Sequence, residues 1–173
     1  MTSTPPNPFQ PGGFILLKSE RGSCLAADPT NGALIMSASA SPMAVAASWQ
    51  VADASQSVTY NGQTLAGVYL IVLDGNLTAR LLNGDPATQQ VTLVASPTPN
   101  GGTVWFPAPV ANGEQYCLAC SPGPGATSPV WLVSQDGHNL FTPSLSPHSA
   151  LNPLGLTTDS LWRAEASPFL TRP

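Results

Sequence analysis

Charge is what this chain has least of. Asp, Glu, Lys and Arg supply 8% of its 173 residues, against about 25% in an average globular domain. Solubility must therefore come from Ser, Thr, Asn and Gln. Lysine occurs once, at Lys18, and the formal net charge is −4. Nucleic-acid backbones and anionic lipid need clustered positive charge, so neither is an expected partner. No apolar run approaches the roughly 18 residues that a membrane helix needs. The opening Met1-Thr2-Ser3-Thr4-Pro5-Pro6 is polar and proline-rich, unlike a signal peptide, so a cytoplasmic location is the expectation. Three cysteines are too few for a disulfide framework. Cys117 and Cys120 have the spacing of a redox or metal motif, but no second Cys/His pair accompanies them. In a strand, side chains three apart point to opposite faces, so buried, inert thiols are expected, with no metal and no cofactor.

Catalytic constellations are missing too. His138 and His148 are the only histidines, and neither stands in a Ser/His/Asp or H-x-x-x-H arrangement. There is no Gly-x-Ser-x-Gly, no P-loop and no paired acidic motif, so the chain is not expected to be an enzyme.

Turns are abundant instead. Pro (19) and Gly (15) are frequent while 42% of residues are hydrophobic, a mixture that fits many short strands. Asn-Gly occurs at Asn31, Asn61, Asn83, Asn100 and Asn112, and Asp-Gly at Asp74 and Asp136; such dipeptides between apolar runs are strong hairpin signals. No stretch holds a helical stripe. Between the turns the sequence predicts twelve strands, at 14–18, 23–27, 33–38, 48–53, 57–60, 67–73, 77–82, 89–95, 103–108, 115–120, 129–134 and 161–166. Asn139 to Leu145 is a strand-like remnant inside a long loop.

Pieces of the chain echo one another. Cys24 to Ser37 (CLAADPTNGALIMS) resembles Cys117 to Ser134 (CLACSPGPGATSPVWLVS). Three runs, WQVADAS from Trp49, VTLVAS from Val91 and WRAEAS from Trp162, divide the strands into three fours. A second register is open, in which the even spacing of Trp49, Trp105 and Trp162 puts Trp105 in the closing strand of the second unit. Either register describes an all-β chain of three pseudo-repeats, a β-trefoil; a two-sheet sandwich is the competing architecture. The domain is expected over 11–167, with a disordered tail at 1–10 and a short tail at 168–173.

The pattern resembles the small β-trefoil protease inhibitors of mushrooms, of the clitocypin, macrocypin and cospin types. The resemblance rests on Pro11-Gly12-Gly13-Phe14-Ile15-Leu16, Trp49-Gln50-Val51, Asn83-Gly84-Asp85-Pro86 with Val91 to Val94, Thr103-Val104-Trp105 and Leu161-Trp162-Arg163. It implies fungal defence by serine or cysteine protease inhibition, through exposed loops that enter a protease active site. The loop matching the trypsin-blocking loop of the cospin type is Asp28, Pro29, Thr30, Asn31 and Gly32. The loop matching the one that blocks asparaginyl (legumain-like) endopeptidases runs from Asn61 and Gly62 to Ala66. The segment Ser19 to Gly22 is shorter than the family's papain-binding loop, so papain-type inhibition is not implied. Lys18 or Arg21 would suit a trypsin-like pocket better by charge than Asn31 or Asn61, and turn geometry alone also accounts for both asparagines.

The alternative is a carbohydrate-binding β-trefoil, a lectin with a glycan partner. A shallow sugar site needs an aromatic platform beside an Asp or Asn that can bond vicinal hydroxyls. Trp131 with Asp136 and Asn139 supplies one candidate set, and Tyr69 with Asp74 and Asn76 another. The likeness of VYLIVLDGNL to VWLVSQDGHNL favours repeated sites. The Gln-x-Trp of ricin-type lectins is absent.

Overall fold

Alternation of inward apolar and outward residues, interrupted by turn dipeptides, builds twelve strands and no α-helix among the described residues. The computed structural model describes residues 7–28, 30–38, 44–60, 62–74, 76–98, 102–110, 114–120, 130–135, 142–146 and 158–169. The strands are β1 (Phe14–Ser19), β2 (Cys24–Ala27), β3 (Leu34–Ser37), β4 (Trp49–Tyr60), β5 (Gln63–Leu73) and β6 (Ala79–Asp85). They continue with β7 (Gln90–Val94), β8 (Trp105–Pro109), β9 (Tyr116–Cys120), β10 (Val130–Val133), β11 (Ser144–Ser146) and β12 (Trp162–Ala166). Strands β1, β4, β5, β8, β9 and β12 pair antiparallel in that cyclic order and close a barrel, with β5 and β8 joined at Val68 and Trp105. The hairpins β2–β3, β6–β7 and β10–β11 cover one end of it. This is a β-trefoil, with units 14–60, 63–109 and 116–166.

The threefold relation is carried by three indoles. Trp49, Trp105 and Trp162 open the closing strands β4, β8 and β12 and are fully buried. Their Nε1–H groups donate to Leu25 O (2.8 Å), Leu82 O (2.9 Å) and Leu132 O (2.9 Å), one acceptor in the second strand of each unit. Each ring takes about 200 Å² out of water, an upper estimate of about 5 kcal/mol at 25 cal/mol/Å². A buried indole also needs an acceptor, so each of these three tryptophans ties a barrel strand to its own cap hairpin.

The tryptophan register is therefore the right one. VTLVAS forms β7, the third strand of its unit, and is not equivalent to WQVADAS or WRAEAS. The Cys-Leu-Ala echo is likewise out of phase, because Cys24 begins β2 whereas Cys117 lies in β9, the first strand of its unit. The strands predicted at 48–53 and 57–60 are one strand, β4, whose pairing with β5 shifts register between Asp53 and Ser57. The twelfth strand is β11, which overlaps the end of the strand-like remnant at Asn139 to Leu145 and runs on to Ser146. Asn83-Gly84 is not a turn: both residues lie in β6, opposite Thr92 and Val91. A Cβ on Gly84 would stand 2.6 Å from Cys120 Sγ and 3.1 Å from Leu145 Cδ1, so this glycine serves a close approach inside the barrel.

Phe9, placed in the tail 1–10 by the sequence, is only 3% exposed and joins the main core. Its ring meets Tyr116 edge-on, with centroids 5.0 Å apart. The three cysteines are buried and none is in a disulfide. Cys120 faces the barrel interior, where burial pushes its thiol up to about 12. Cys117 lies on the opposite face, in a second apolar cluster outside the barrel with Phe106, Leu65 and Trp131.

Candidate functional site

Two turns at the capped end approach each other and enclose a polar cleft of about 270 Å³. One turn joins β2 to β3 and contributes Thr30, Asn31 and Gly32; the other joins β5 to β6 and contributes Asp74 and Asn76. Arg80 of β6 and Leu93 of β7 complete the lining.

The β2–β3 turn is stapled by its own polar groups. Asp28 Oδ1 accepts from Thr30 N (2.8 Å), and Asn31 Oδ1 accepts from Ala33 N (2.9 Å). Gly32 N donates to Asp28 O and Asp28 N to Ala33 O, both at 2.7 Å. Asp and Asn favour such turns because their short side chains mimic a backbone carbonyl. The backbone is thus closed on itself, while Thr30 and Asn31 stay exposed.

The β5–β6 turn is organised by Asp74, whose side chain is 7% exposed. Its Oδ1 accepts from Asn76 N (2.9 Å) and Thr78 N (3.0 Å), and its Oδ2 accepts from Arg80 Nε (3.2 Å). The amide of Thr78, then that of Asn76 and the Arg80 guanidinium, hold its carboxyl below the usual value, against the opposing effect of burial. Asp74 is therefore ionised and spent on local bonds. What it presents to the cleft is a fixed Arg80: Nε is engaged, and the two terminal nitrogens take no partner among the described residues. Leu77, between Asn76 and Thr78, has φ +61° and is 71% exposed. A leucine in the left-handed region is strained by about 1–2 kcal/mol.

The cleft therefore offers amide, hydroxyl and guanidinium groups, of which the Asn31 and Arg80 side chains are held by hydrogen bonds, with Leu93 as its apolar element. Among the described residues no group of three or more His, Cys, Asp or Glu comes together as metal ligands would. No described helix is long and apolar enough to cross a membrane.

The candidates from the sequence fare differently. Thr30, Asn31 and Gly32, expected in a protease-binding loop, and Asp74 and Asn76, expected in a sugar site, share this one cleft. Asp28 supports it from behind, and Pro29 lies outside the described residues. Trp131 is not a platform: it is 1% exposed, on the outer apolar cluster, and Tyr60 covers it edge-on at 5.4 Å between centroids. Tyr69 packs half-buried against the same cluster and does not reach the cleft with Asp74. Asp136 and Asn139 lie outside the described residues. The segments VYLIVLDGNL and VWLVSQDGHNL sit on β5 and β10, first and second strands of their units, so they do not repeat one site. Asn61 is outside the described residues; Gly62 is exposed, and Tyr60 pairs directly with Gln63. Of the expected loop from Asn61 to Ala66, Gln63 to Ala66 are strand residues that continue the β4–β5 ladder. Arg80 was not picked out from the sequence, although Asp74-x-Asn-x-Thr-x-Arg80 places opposite charges across a tight turn.

No protein-family model matches the chain, and no curated protein matches it. Solved structures do. The BEL β-trefoil superposes with a TM-score of 0.62 at 13% identity, over 95% of this chain and 99% of that one. SeviL bound to asialo-GM1 saccharide gives 0.58 at 13% identity, over 90% of this chain and 98% of that one. A GlcNAcα1-4Gal-releasing endo-β-galactosidase from Clostridium perfringens gives 0.56 at 13% identity, over 89% of this chain. The chain spans 32% of that enzyme's length. These likenesses establish the β-trefoil class, and at such identity they establish the fold alone.

Proposed function

We infer that this chain is a glycan-binding β-trefoil module whose site is the cleft between the β2–β3 and β5–β6 turns. The observation that carries the reading is the convergence of Thr30, Asn31, Asn76 and Arg80 on one cleft, each fixed or flanked by an Asx-type turn. Saccharide hydroxyls need donors and acceptors at set spacings, and side chains held in advance lose little entropy on binding. Two of the similar structures bear on saccharides by name, one bound to asialo-GM1 saccharide and one a galactosidase. With no aromatic ring among the described residues that line the cleft, the affinity of one site is expected to be modest.

Protease inhibition is the weaker reading. A loop that mimics a substrate offers extended backbone to the enzyme, whereas the 28–33 turn uses its donors internally. Nothing in the comparisons supports a protease partner, a fungal inhibitor type or a cytoplasmic location.

The test is a glycan array with the full chain, followed by titration of the best saccharide against Asn31→Ala and Asn76→Ala. Each variant is expected to lose about tenfold in affinity, as for a hydrogen bond of about 1.4 kcal/mol. An array without signal, or variants that bind like the parent, would overturn the reading. A protease panel run alongside separates the inhibitor alternative.

A further inference from the structure

The end of the barrel away from the cap hairpins is not filled as the rest is. Deep inside, Trp49, Trp105 and Trp162 occupy the space; at the mouth, the same faces of the strands carry much smaller groups. On β5 the inward series that begins with Leu70 and Val68 ends in Ala66 and Thr64. On β8 the series starting at Trp105 ends in Pro107 and Pro109, and on β9 Tyr116 stands opposite Pro109. The prolines also account for an opening. The β8–β9 ladder runs past both of them, so their missing N–H groups are those that would face β5. Strands β5 and β8 are accordingly paired only at Val68 and Trp105. Phe9 fills one side of the mouth by lying against Tyr116, and the gap between β5 and β8 remains as a cavity of about 410 Å³.

We propose that this barrel mouth is a second binding site, for an uncharged, ring-sized apolar molecule carrying one hydrogen-bonding group. It goes beyond the glycan reading and does not depend on it, since it lies at the other end of the barrel. Its size is in the range of small-molecule pockets, which often occupy the mouths of barrels. No Asp, Glu, Lys or Arg lines it among the described residues, so a charged ligand would lose water without finding a counter-charge. Phe9, Ala66, Pro107 and Pro109 provide flat apolar walls. The polar side chains of the lining are the exposed Asn7, Gln63 and Thr64 and the half-buried Tyr116, whose hydroxyl takes no partner among the described residues and is the one assigned to the ligand's polar atom. Burial pushes this phenol above its ordinary value, so at neutral pH it is a donor.

The experiment uses the full chain and the neutral fluorescent probe N-phenyl-1-naphthylamine. The expected result is saturable enhancement at one probe per chain, with displacement by a neutral phenol such as 4-ethylphenol. Ala66→Phe and Thr64→Phe each fill the gap and should weaken the probe at least about tenfold, a loss of about 1.4 kcal/mol. Thr64 is exposed, so its variant keeps the test valid if Ala66→Phe fails to fold, as judged by near-ultraviolet circular dichroism. Tyr116→Phe should weaken 4-ethylphenol about fivefold, the worth of a hydrogen bond of about 1 kcal/mol, with little effect on the probe. No saturable binding by the parent chain, or binding that survives both filling substitutions, would overturn the proposal. Glycan binding should be the same in all these variants, so failure of either site is distinguishable from failure of the other.

Discussion

The β1–β2 and β5–β6 turns hold the same position in successive units, and they are drawn with the same hydrogen bonds. In the first, Ser19 N donates to Ser23 O, Gly22 N to Ser19 O, and Ser23 N to Ser19 Oγ. In the second, Asp74 N donates to Thr78 O, Leu77 N to Asp74 O, and Thr78 N to Asp74 Oδ1. The left-handed position is Gly22 (φ +90°) in one turn and Leu77 (φ +61°) in the other. Glycine fits that conformation at no steric cost; leucine does not. The second turn also replaces a serine hydroxyl by a carboxylate that fixes an arginine. A shared frame thus carries a plain reversal in one unit and a charged, strained, cleft-lining turn in the next. The barrel sets where a turn sits, and individual side chains decide whether it can recognise anything.

The largest effect is expected where the units agree. Trp105→Ala should cost about 3–5 kcal/mol, and Trp49→Ala and Trp162→Ala should cost similar amounts. Thermal or denaturant unfolding measures all three; a large inequality would break the threefold account of the core. Next comes Gly84→Ala, whose methyl meets Cys120 and Leu145. Overpacking of that kind costs about 1–3 kcal/mol, whereas Gly22→Ala, with nothing within 4 Å of its Cβ, meets only backbone strain.

Asp74→Asn keeps an oxygen for the two amides but releases Arg80. Saccharide affinity should fall about tenfold, while Ser19→Ala in the sister turn leaves it unchanged; titration calorimetry reads both. Leu77→Gly should raise stability by about 1 kcal/mol by relieving the left-handed leucine. An unchanged or lower melting temperature would show that the leucine is not strained.

The smallest effect concerns pH. A carboxyl held below its ordinary value of 3.8 stabilises the folded state above that value, and the contribution is lost as pH falls through the lower, folded-state value. The protection of the Asn76 and Thr78 amides, measured as exchange relative to the intrinsic rate at each pH, should therefore fall on acidification below about pH 4. In the sister turn the atom that accepts from the Ser23 amide is the Ser19 hydroxyl, which does not titrate in this range, so that amide is the internal control.

Much of the fold was legible because tryptophan spacing and turn dipeptides are local signals. The even spacing of Trp49, Trp105 and Trp162 is the threefold repeat itself. The phasing was harder, because the Cys-Leu-Ala runs look alike yet occupy β2 and β9. Asn83-Gly84 read as a turn because a glycine kept for close packing inside a strand has the same letters as one kept for a reversal.

The site was half legible. Asn31, Asp74 and Asn76 stood out, but as parts of two different functions, since only the closed barrel brings the turns 28–33 and 74–78 together. Trp131 misled for the opposite reason. Its ring is covered by Tyr60, a residue of β4 far away in the chain, and no local pattern announces such cover. Arg80 escaped notice inside a strand, although it is among the chain's 5 cationic residues.

The decisive measurement is a heteronuclear NMR titration of the full chain with the strongest saccharide found on the array. Backbone amides of Thr30 to Gly32 and Asn76 to Arg80 should shift together and saturably, while Glu20 to Ser23 stay still. Shifts centred on the β1–β2 turn, or on neither turn, would contradict recognition at the Asp74–Arg80 cleft.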